Sequence, residues 1–271
     1  MRINNNMMAF NAHRQLKVNG AQQEKSLEKL SSGYRINRAG DDAAGLSISE
    51  KMRAQIRGLN QASRNAQDGI SLIQTAEGAL QETHAILQRM RELAVQAAND
   101  TNVTKDRSAI KLELDDLRDE VTRIAQKTQF NTRTLLAGGL TSGITVQIGA
   151  NKGETLSVKI ATMTANKLSI HALNVASAVP AGTAIQLINN AINTVSAERA
   201  KLGAKQNRLE HTIKNLDNTA ENLQASESRI RDVDMAREMM TFTKNNILNQ
   251  AATAMLAQAN QAPQGVLQLL R

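Results

Sequence analysis

The stretch IQLINNAINTVSAERAKLGAKQNRLEHTIKNLDNTAENLQASESRI, residues 185–230, decides the fold of this chain of 271 residues. Apolar residues occupy every seventh position in it: Ile188, Val195, Leu202, Leu209, Leu216, Leu223 and Ile230. A sustained period of this kind predicts a helix that lies along another helix. At about 1.5 Å per residue the helix would be roughly 70 Å long, so it needs a partner of similar length.

The N-terminal half contains a matching series. Apolar residues again lie seven apart, at Met52, Leu59, Ala66, Ile73, Leu80, Leu87 and Ala94. The positions three residues later are mostly small, and small residues allow two helices to approach closely. We therefore predict a mainly α fold, an extended antiparallel helical bundle or coiled coil made from the paired N- and C-terminal halves. Leu59, Ile73, Leu80 and Leu87 join the seven residues of the C-terminal series as its heptad core.

The remaining helices follow from shorter patterns. A first helix is predicted from about residue 4 to residue 32, followed by a polar loop in which Asp41 or Asp42 caps the next helix. That next helix ends near Ala98. A third helix carries its apolar residues in four–three spacing and folds back antiparallel on the second, because the connection is short. Its apolar residues are Ile110, Leu114, Leu117, Val121 and Ile124.

One segment has the alternation of strands. Ile144, Val146 and Ile148 alternate with polar residues, and so do Leu156, Val158 and Ile160, which predicts one small β-hairpin at about 144–160. Residues 161–182 have no clear pattern and are expected to be irregular. Thr183, after Pro180 and Gly182, is the expected N-cap of the long C-terminal helix.

Composition excludes several functions. The net charge of +8 is spread along every predicted helix among acidic residues, without aromatic residues for stacking, so nucleic-acid binding is not expected. No stretch approaches 18 consecutive apolar residues, so no membrane insertion is expected. There is no cysteine, no zinc motif and no phosphate-binding loop, so we predict no enzyme activity, no metal and no cofactor.

The ends of the chain are unusual because they lack charge. Residues 3–12 and 245–270 contain no Asp, Glu, Lys or Arg. A surface helix normally carries charge, so these segments are expected to be buried against copies of the same chain. A frayed tail is the alternative. Met235, Met239 and Met240 are expected to pack in such an interface.

Three long motifs resemble the signatures of bacterial flagellins, and they occur in the right order over nearly the whole chain. LSSGYRINRAGDDAAGL (30–46) resembles the N-terminal signature and ESRIRDVDMA (227–236) the C-terminal one. The ending, LAQANQ (256–261) through VLQLLR (266–271), is similar as well. The chain is short and leaves no room for the large insert that many flagellins carry.

The resemblance implies a structural subunit that polymerises into the flagellar filament for swimming motility. Residues 1–45 and 230–271 would form a terminal-helix domain in the inner core of the filament, and 46–229 the heptad bundle with its hairpin. The family also implies export of the unfolded chain through the flagellar type III system, without a cleaved signal. The residues expected to drive assembly are Ile3, Phe10, Leu27, Leu30, Leu248, Met255, Leu256, Val266, Leu267, Leu269 and Leu270.

Partners follow from the same resemblance. Besides further copies of itself, the subunit would meet an export chaperone on its C-terminal segment, the filament cap and the hook–filament junction proteins. An animal Toll-like receptor recognises many flagellins, and Arg89, Leu93 and Glu113 match the positions used for it. Met90 departs from the valine common in the family. Arg89 and Glu113 as a surface pair, with Leu93 in the core, is the purely structural alternative.

Two other functions fit parts of the pattern. A hook–filament junction protein has similar ends but is made in few copies. A cytoplasmic coiled-coil scaffold would also use the heptads. The sequence leaves open whether the C-terminal helix breaks between Arg231 and Met235.

Overall fold

The fold is mainly α, as predicted, with five helices and two small hairpins in the part of the chain that the structure describes. The computed structural model describes the backbone of residues 6–269 and the side chains of residues 6–262. The helices are α1 (Met7–Ser32), α2 (Ala43–Ala97), α3 (Thr104–Lys127), α4 (Ala178–Arg231) and α5 (Met235–Leu269). The strands are β1 (Gln129–Phe130), β2 (Arg133–Thr134), β3 (Ile144–Gln147) and β4 (Thr155–Val158). None of the described helices combines the length and apolar character needed to span a bilayer.

The chain divides into two compact units. The terminal unit contains Met1–Ala54 and Asn222–Arg271, and the central unit contains Gln55–Glu221. Both divisions fall inside a long helix, α2 and α4. The terminal unit therefore takes its residues from both ends of the chain, whereas the central unit is continuous.

In the central unit, α2 and α4 run antiparallel. Three side-chain pairs mark their register, because residue numbers rise along one helix as they fall along the other. The pairs are Ser63 with Asp217 at 3.1 Å, Glu77 with Arg199 at 3.6 Å, and Arg91 with Asn189 at 2.8 Å.

The heptad positions lie along this seam. Nine of them are at most 9% exposed: Leu59, Ile73, Leu80, Leu87, Ile188, Val195, Leu202, Leu209 and Leu216. Leu223 and Ile230, which belong to the terminal unit, are half-buried. Small residues on α2 permit the close approach: a Cβ on Gly69 would lie 3.4 Å from Leu209 Cδ1.

Helix α3 folds back along α2 through a short turn. Ile110, Leu114 and Val121 are buried, and Leu117 packs against the core. Arg107 closes the turn, because its Nε donates to the carbonyl oxygen of Ala97 at 3.1 Å, at the end of α2.

The hairpin predicted at 144–160 is present as β3 and β4, which pair antiparallel with Val146 opposite Leu156. A second, smaller hairpin joins β1 to β2 and was not predicted. Its two loop residues, Asn131 and Thr132, have φ of 46° and 65°. Positive φ at both positions is typical of a type I′ turn, which Asn favours but Thr does not, so the sequence signal is weak.

The segment expected to be irregular, 161–182, has no strand but contributes much to the core. Six of its side chains are buried: Met163, Ala165, Leu168, Ile170, Val175 and Ala181. Leu135, Leu136 and Leu140, which lie between β2 and β3, are at most 2% exposed as well. A hydrogen bond holds the start of this segment to α4, because the backbone N–H of Ala161 donates to Glu198 Oε1 at 2.9 Å. The hairpin is held to α2 in a similar way, since Asn65 donates to Gln147 O of β3 at 3.2 Å.

The predicted start of the C-terminal helix was wrong. Helix α4 begins at Ala178, so Thr183 lies inside it and is not the N-cap. The carbonyl oxygen of Ser177 accepts from Ala181 N at 3.1 Å, as at a helix start. Pro180 falls in the first turn, where its missing N–H breaks no helical hydrogen bond, so it is compatible with the earlier start.

Candidate assembly surface

The candidate surface is built on α1 and α5, which pair antiparallel in the terminal unit. Near one end of the pair, Asn6 Nδ2 donates to Ala259 O at 2.6 Å. Further along, Asn249 Nδ2 donates to Gln23 Oε1. At the other end, Val233 N donates to Gly33 O at 3.0 Å, next to a single β-bridge between Tyr34 and Asp232.

The seam between these helices has the spacing of a heptad. The buried and half-buried side chains of α1 include Ala9, Ala12, Leu16, Asn19, Gln23, Ser26 and Leu30. Those of α5 include Glu238, Phe242, Asn245, Asn249, Ala252, Leu256 and Ala259. The middle of each row is polar. Ser26 and Asn245 are each only 4% exposed.

Most of the larger apolar side chains of the two helices are instead exposed to solvent. Phe10 is 76% exposed and Met240 67%. The other exposed ones on the two helices are Met7, Met8, Val18, Leu27, Met235, Met239, Ile247, Leu248 and Met255, and we call this set the outer face. Among the described side chains of the terminal unit, Ile36 and Ala259 are the only buried apolar ones. The described part of the terminal unit thus buries few of its apolar side chains completely.

The residues predicted to drive assembly divide between seam and outer face. Phe10, Leu27, Leu248 and Met255 lie on the outer face, whereas Leu30 and Leu256 lie half-buried in the seam. Ile3, Val266, Leu267, Leu269 and Leu270 fall outside the described side chains.

A compact latch joins the helix ends of the terminal unit. Arg35 N donates to Arg231 O at 2.7 Å. The guanidinium of Arg231 lies 4.7 Å from the centre of the Tyr34 ring and pairs with Glu50 at 2.7 Å. The C-terminal helix does break here, at Asp232–Asp234, and Asp234 caps α5 by accepting from Ala236 N at 3.1 Å.

The loop that follows α1 is held by two neighbouring aspartates with different roles. Asp42 is the cap of α2, since its Oδ1 accepts from Gly45 N at 2.8 Å. Asp41 instead accepts from the backbone N–H groups of Arg38 at 3.0 Å and Asn37 at 3.2 Å. These hydrogen bonds stabilise the ionised carboxylate, so they lower the pKa of Asp41 below its ordinary value.

The three receptor-contact residues predicted in the central unit do not share one environment. Arg89 donates to Glu113 Oε1 from Nε at 3.1 Å and from Nη2 at 3.0 Å, and both side chains are about half exposed. These bonds raise the pKa of the Arg89 guanidinium further. Leu93 is 2% exposed and packs in the core, as Met90 does at 0%. The arrangement matches the structural alternative for the pair, and Leu93 offers no exposed surface to a partner.

Among the described residues, no three His, Asp or Glu side chains lie together in a way that could hold one metal ion.

The seam of α1 and α5 is the feature that sequence reasoning missed. The apolar pattern loosens after Ile230 because most seam positions of α5 are filled by Ala, Asn and Glu rather than by Leu and Ile. The signal was present in a different form: Asn245, Asn249, Ala252, Leu256 and Ala259 keep the alternating spacing of three and four residues.

Two family models together match most of the chain, and full-length relatives are known. Residues 3–141 match the bacterial flagellin N-terminal helical region, and residues 185–270 match the bacterial flagellin C-terminal helical region. The chain is 60% identical to a flagellin of Halalkalibacterium halodurans over 273 residues and 54% identical to a flagellin of Bacillus subtilis over 304 residues. Both matches cover 100% of this chain and of the relative.

Two solved structures are similar to this chain. The crystal structure of Bacillus cereus flagellin is 35% identical, with a TM-score of 0.51, and the match covers 60% of this chain and 94% of that one. A putative flagellar hook-associated protein from Vibrio parahaemolyticus has a TM-score of 0.60, with coverage of 71% and 100%. At 14% identity this second likeness concerns the fold alone.

Proposed function

Because the chain belongs to the bacterial flagellin family, it is a structural subunit of the flagellar filament, and we propose that α1 and α5 make the contacts between subunits. Motility and secretion follow from that identity. The relatives reported above that match over their full length are flagellins, which favours a filament subunit over a junction protein or a cytoplasmic scaffold.

The observation that carries the proposal is the outer face. A helix pair that fills most of its seam with Ala, Asn, Gln and Ser, and leaves most of its larger apolar side chains exposed, gains little from pairing alone. Burial of an apolar side chain contributes about 1.5 to 3 kcal/mol, and most of that gain is available to this unit only when a neighbour covers it. Further copies of the same chain are the partner that a filament supplies.

We assign the terminal helices, residues 1–45 and 230–271, to the inner core of the filament, and residues 46–229 to the layer around it. The central unit has a continuous core of its own, so it folds without neighbours. The terminal unit does not. This contrast supports a subunit that leaves the cell unfolded through the flagellar type III channel, folds its central unit and orders its ends on joining the filament.

The surface proposed for the export chaperone is the apolar strip of α5. Met239, Met240, Ile247 and Leu248 line one groove of that helix together with Thr243 and Lys244. An exposed strip of this kind needs cover before the subunit reaches the filament, because it would otherwise promote early association. The filament cap and the hook–filament junction proteins would meet the same terminal helices at the two ends of the filament.

For the animal Toll-like receptor, the proposed contact is the exposed pair Arg89 and Glu113, with Leu93 as a core residue beneath it. An Arg89→Ala variant is expected to lower receptor signalling while the monomer stays as stable as the parent. Leu93→Ala should lower stability itself. Equal signalling by Arg89→Ala and parent protein would contradict the assignment.

Filament assembly is tested with purified monomers and ammonium sulfate as precipitant, followed by electron microscopy. The full chain is expected to form long, uniform tubes. A chain that lacks residues 245–271 should keep the helical circular dichroism of its central unit and form no tubes. Tubes from the shortened chain would overturn the assignment of the ends to assembly, and persistent monomers from the full chain would contradict polymerisation itself.

A further inference from the structure

The seam of the terminal unit changes character along its length. Towards the N-terminus of α1 it is apolar, with Ala9, Ala12 and Leu16 on that helix. The corresponding part of α5 contains Ala252, Leu256 and Ala259, and the hydrogen bond from Asn6 to Ala259 shows that these two parts face each other.

The middle of the seam is polar on both helices. Asn19, Gln23 and Ser26 lie on α1, and Asn245 and Asn249 lie on α5. The hydrogen bond between Gln23 and Asn249 shows that the two polar parts meet. The hydrogen bonding between the two polar parts is incomplete, since Asn249 Oδ1 is buried without a hydrogen-bond partner.

We propose that these seam amides, together with the backbone hydrogen bonds at the other end of the pair, fix the register of α1 on α5, with Gln23 and Asn249 as the positioning residues. A helix pair with a heptad seam can slip by seven residues and keep its spacing. Here such a slip would place amides against Leu16 or Leu256. A buried polar group without a partner is costly, so the slipped pair is disfavoured. Single polar residues in the seams of coiled coils set register in the same way, at a cost in stability.

Register determines the outer face as well as the seam. A slip of seven residues moves the apolar side chains of α5 by about 10 Å relative to those of α1. Because the outer face combines residues of both helices, neighbouring subunits would then meet a different surface. This consequence rests on the proposed role of the terminal helices in assembly.

Disulfide cross-linking measures the register directly, since the chain contains no native cysteine. Ala12→Cys is combined in turn with Ala252→Cys, Leu256→Cys and Ala259→Cys. Filaments are assembled under reducing conditions and then oxidised, and intramolecular products are identified because they migrate as single subunits. A disulfide needs Cα atoms within about 7 Å, so pairs with Ala252→Cys and Ala259→Cys report different registers.

The three pairs are compared in the parent chain, in a seam variant (Gln23→Leu with Asn249→Leu) and in a control (Gln22→Leu with Gln250→Leu). The control makes the same kind of change at exposed positions of the same helices. In parent and control, one pair should give most of the product. In the seam variant, the share of the disulfide product that comes from a second pair should rise about fivefold. Loss of one hydrogen bond changes an equilibrium constant by about that factor.

One dominant pair in all three backgrounds would overturn the inference, and so would several equal pairs in the parent. A seam variant that stays soluble is cross-linked in solution and judged in the same way. Failure of the parent chain to form filaments would contradict the proposed function instead, so the two failures are distinguishable.

Discussion

Leu209 is a single residue through which helix α4 packs closely against α2. Its side chain is 0% exposed and packs against Gly69 of α2, which has no side chain that could move into a cavity. Leu209→Ala is therefore expected to lower the free energy of unfolding by about 2 to 5 kcal/mol. Urea denaturation followed by circular dichroism measures the change.

Leu112 provides the matched control, because it is 69% exposed on α3. Leu112→Ala should change the free energy of unfolding by no more than about 0.5 kcal/mol. Similar effects from the two substitutions would mean that burial does not decide the stability of the central unit.

Gly45 is required by the cap of α2. A Cβ at this position would collide with the carboxylate of Asp42 and lie 2.8 Å from Ile36 Cδ1. Gly45→Ala should displace the cap and cost about 0.5 to 2 kcal/mol. Gly20 in α1 has no atom near its hypothetical Cβ, so Gly20→Ala should stabilise that helix. Thermal melting of both variants as assembled filaments, in which the terminal unit is ordered, tests the contrast, and an equal loss in both would argue against the collision.

The lowered pKa of Asp41 predicts that the stability of the folded loop falls at acid pH. Its pKa is lowered in the folded loop by the hydrogen bonds from Arg38 and Asn37. The contribution to stability is therefore present above the ordinary carboxyl pKa of about 4, and it is lost as the pH falls through the lower folded value. Solid-state carbon-13 NMR titration of assembled filaments should find the Asp41 carboxyl still ionised where the ordinary carboxyls have become protonated. An ordinary midpoint would show that the hydrogen bonds are absent in the filament.

At the scale of single helices, α5 separates assembly from folding. Met240 and Ile247 are exposed, so replacing both by Ser should leave the unfolding of the central unit unchanged and slow or abolish tube formation. Asn246→Ser is the control, since Asn246 is also exposed but polar. Light scattering after addition of precipitant gives the rates. Equal rates for the double variant and the control would remove the outer face from the assembly contacts.

Sequence patterns predicted helices and strands well where apolar residues recur at a regular spacing, and poorly where they do not. The heptads of α2 and α4 and the alternation around Val146 and Leu156 were sufficient, because Leu, Ile and Val at fixed spacing require a buried face. The start of α4 was misplaced, since Pro180 is compatible with a first turn as well as with a loop. The burial of Leu135, Leu136 and Leu140, and of the side chains from Met163 to Val175, could not be predicted because it depends on contacts that no local period encodes.

For the whole molecule, the two units should differ in resistance to protease. The central unit has a continuous apolar core, whereas the described part of the terminal unit buries little apart from Ile36 and Ala259. Limited trypsin digestion of monomers should cut first at sites such as Arg14, Lys17 and Lys244 and leave a resistant fragment close to Gln55–Glu221. Mass spectrometry identifies the fragment. Early cleavage within α3 would contradict the expected order.

The resemblance at the two ends predicted the family, but residues at the receptor-contact positions could not be judged from sequence alone. Arg89 and Glu113 are 24 residues apart along the chain, on α2 and α3, and only the fold brings Arg89 Nη2 and Glu113 Oε1 to 3.0 Å. Leu93 lies four residues from Arg89, yet it points into the core. The helical period shows which of two such neighbouring residues is buried only when the side of the helix that faces the core is known.

The exposed outer face also determines how growth is controlled. A free subunit gains little by ordering its ends, so two free subunits that meet form few lasting contacts, and spontaneous nucleation is slow. The end of an existing polymer presents several ordered neighbours at once and acts as a template. Elongation then continues until the free subunits fall to a critical concentration, which the outer face sets and the core of the central unit does not.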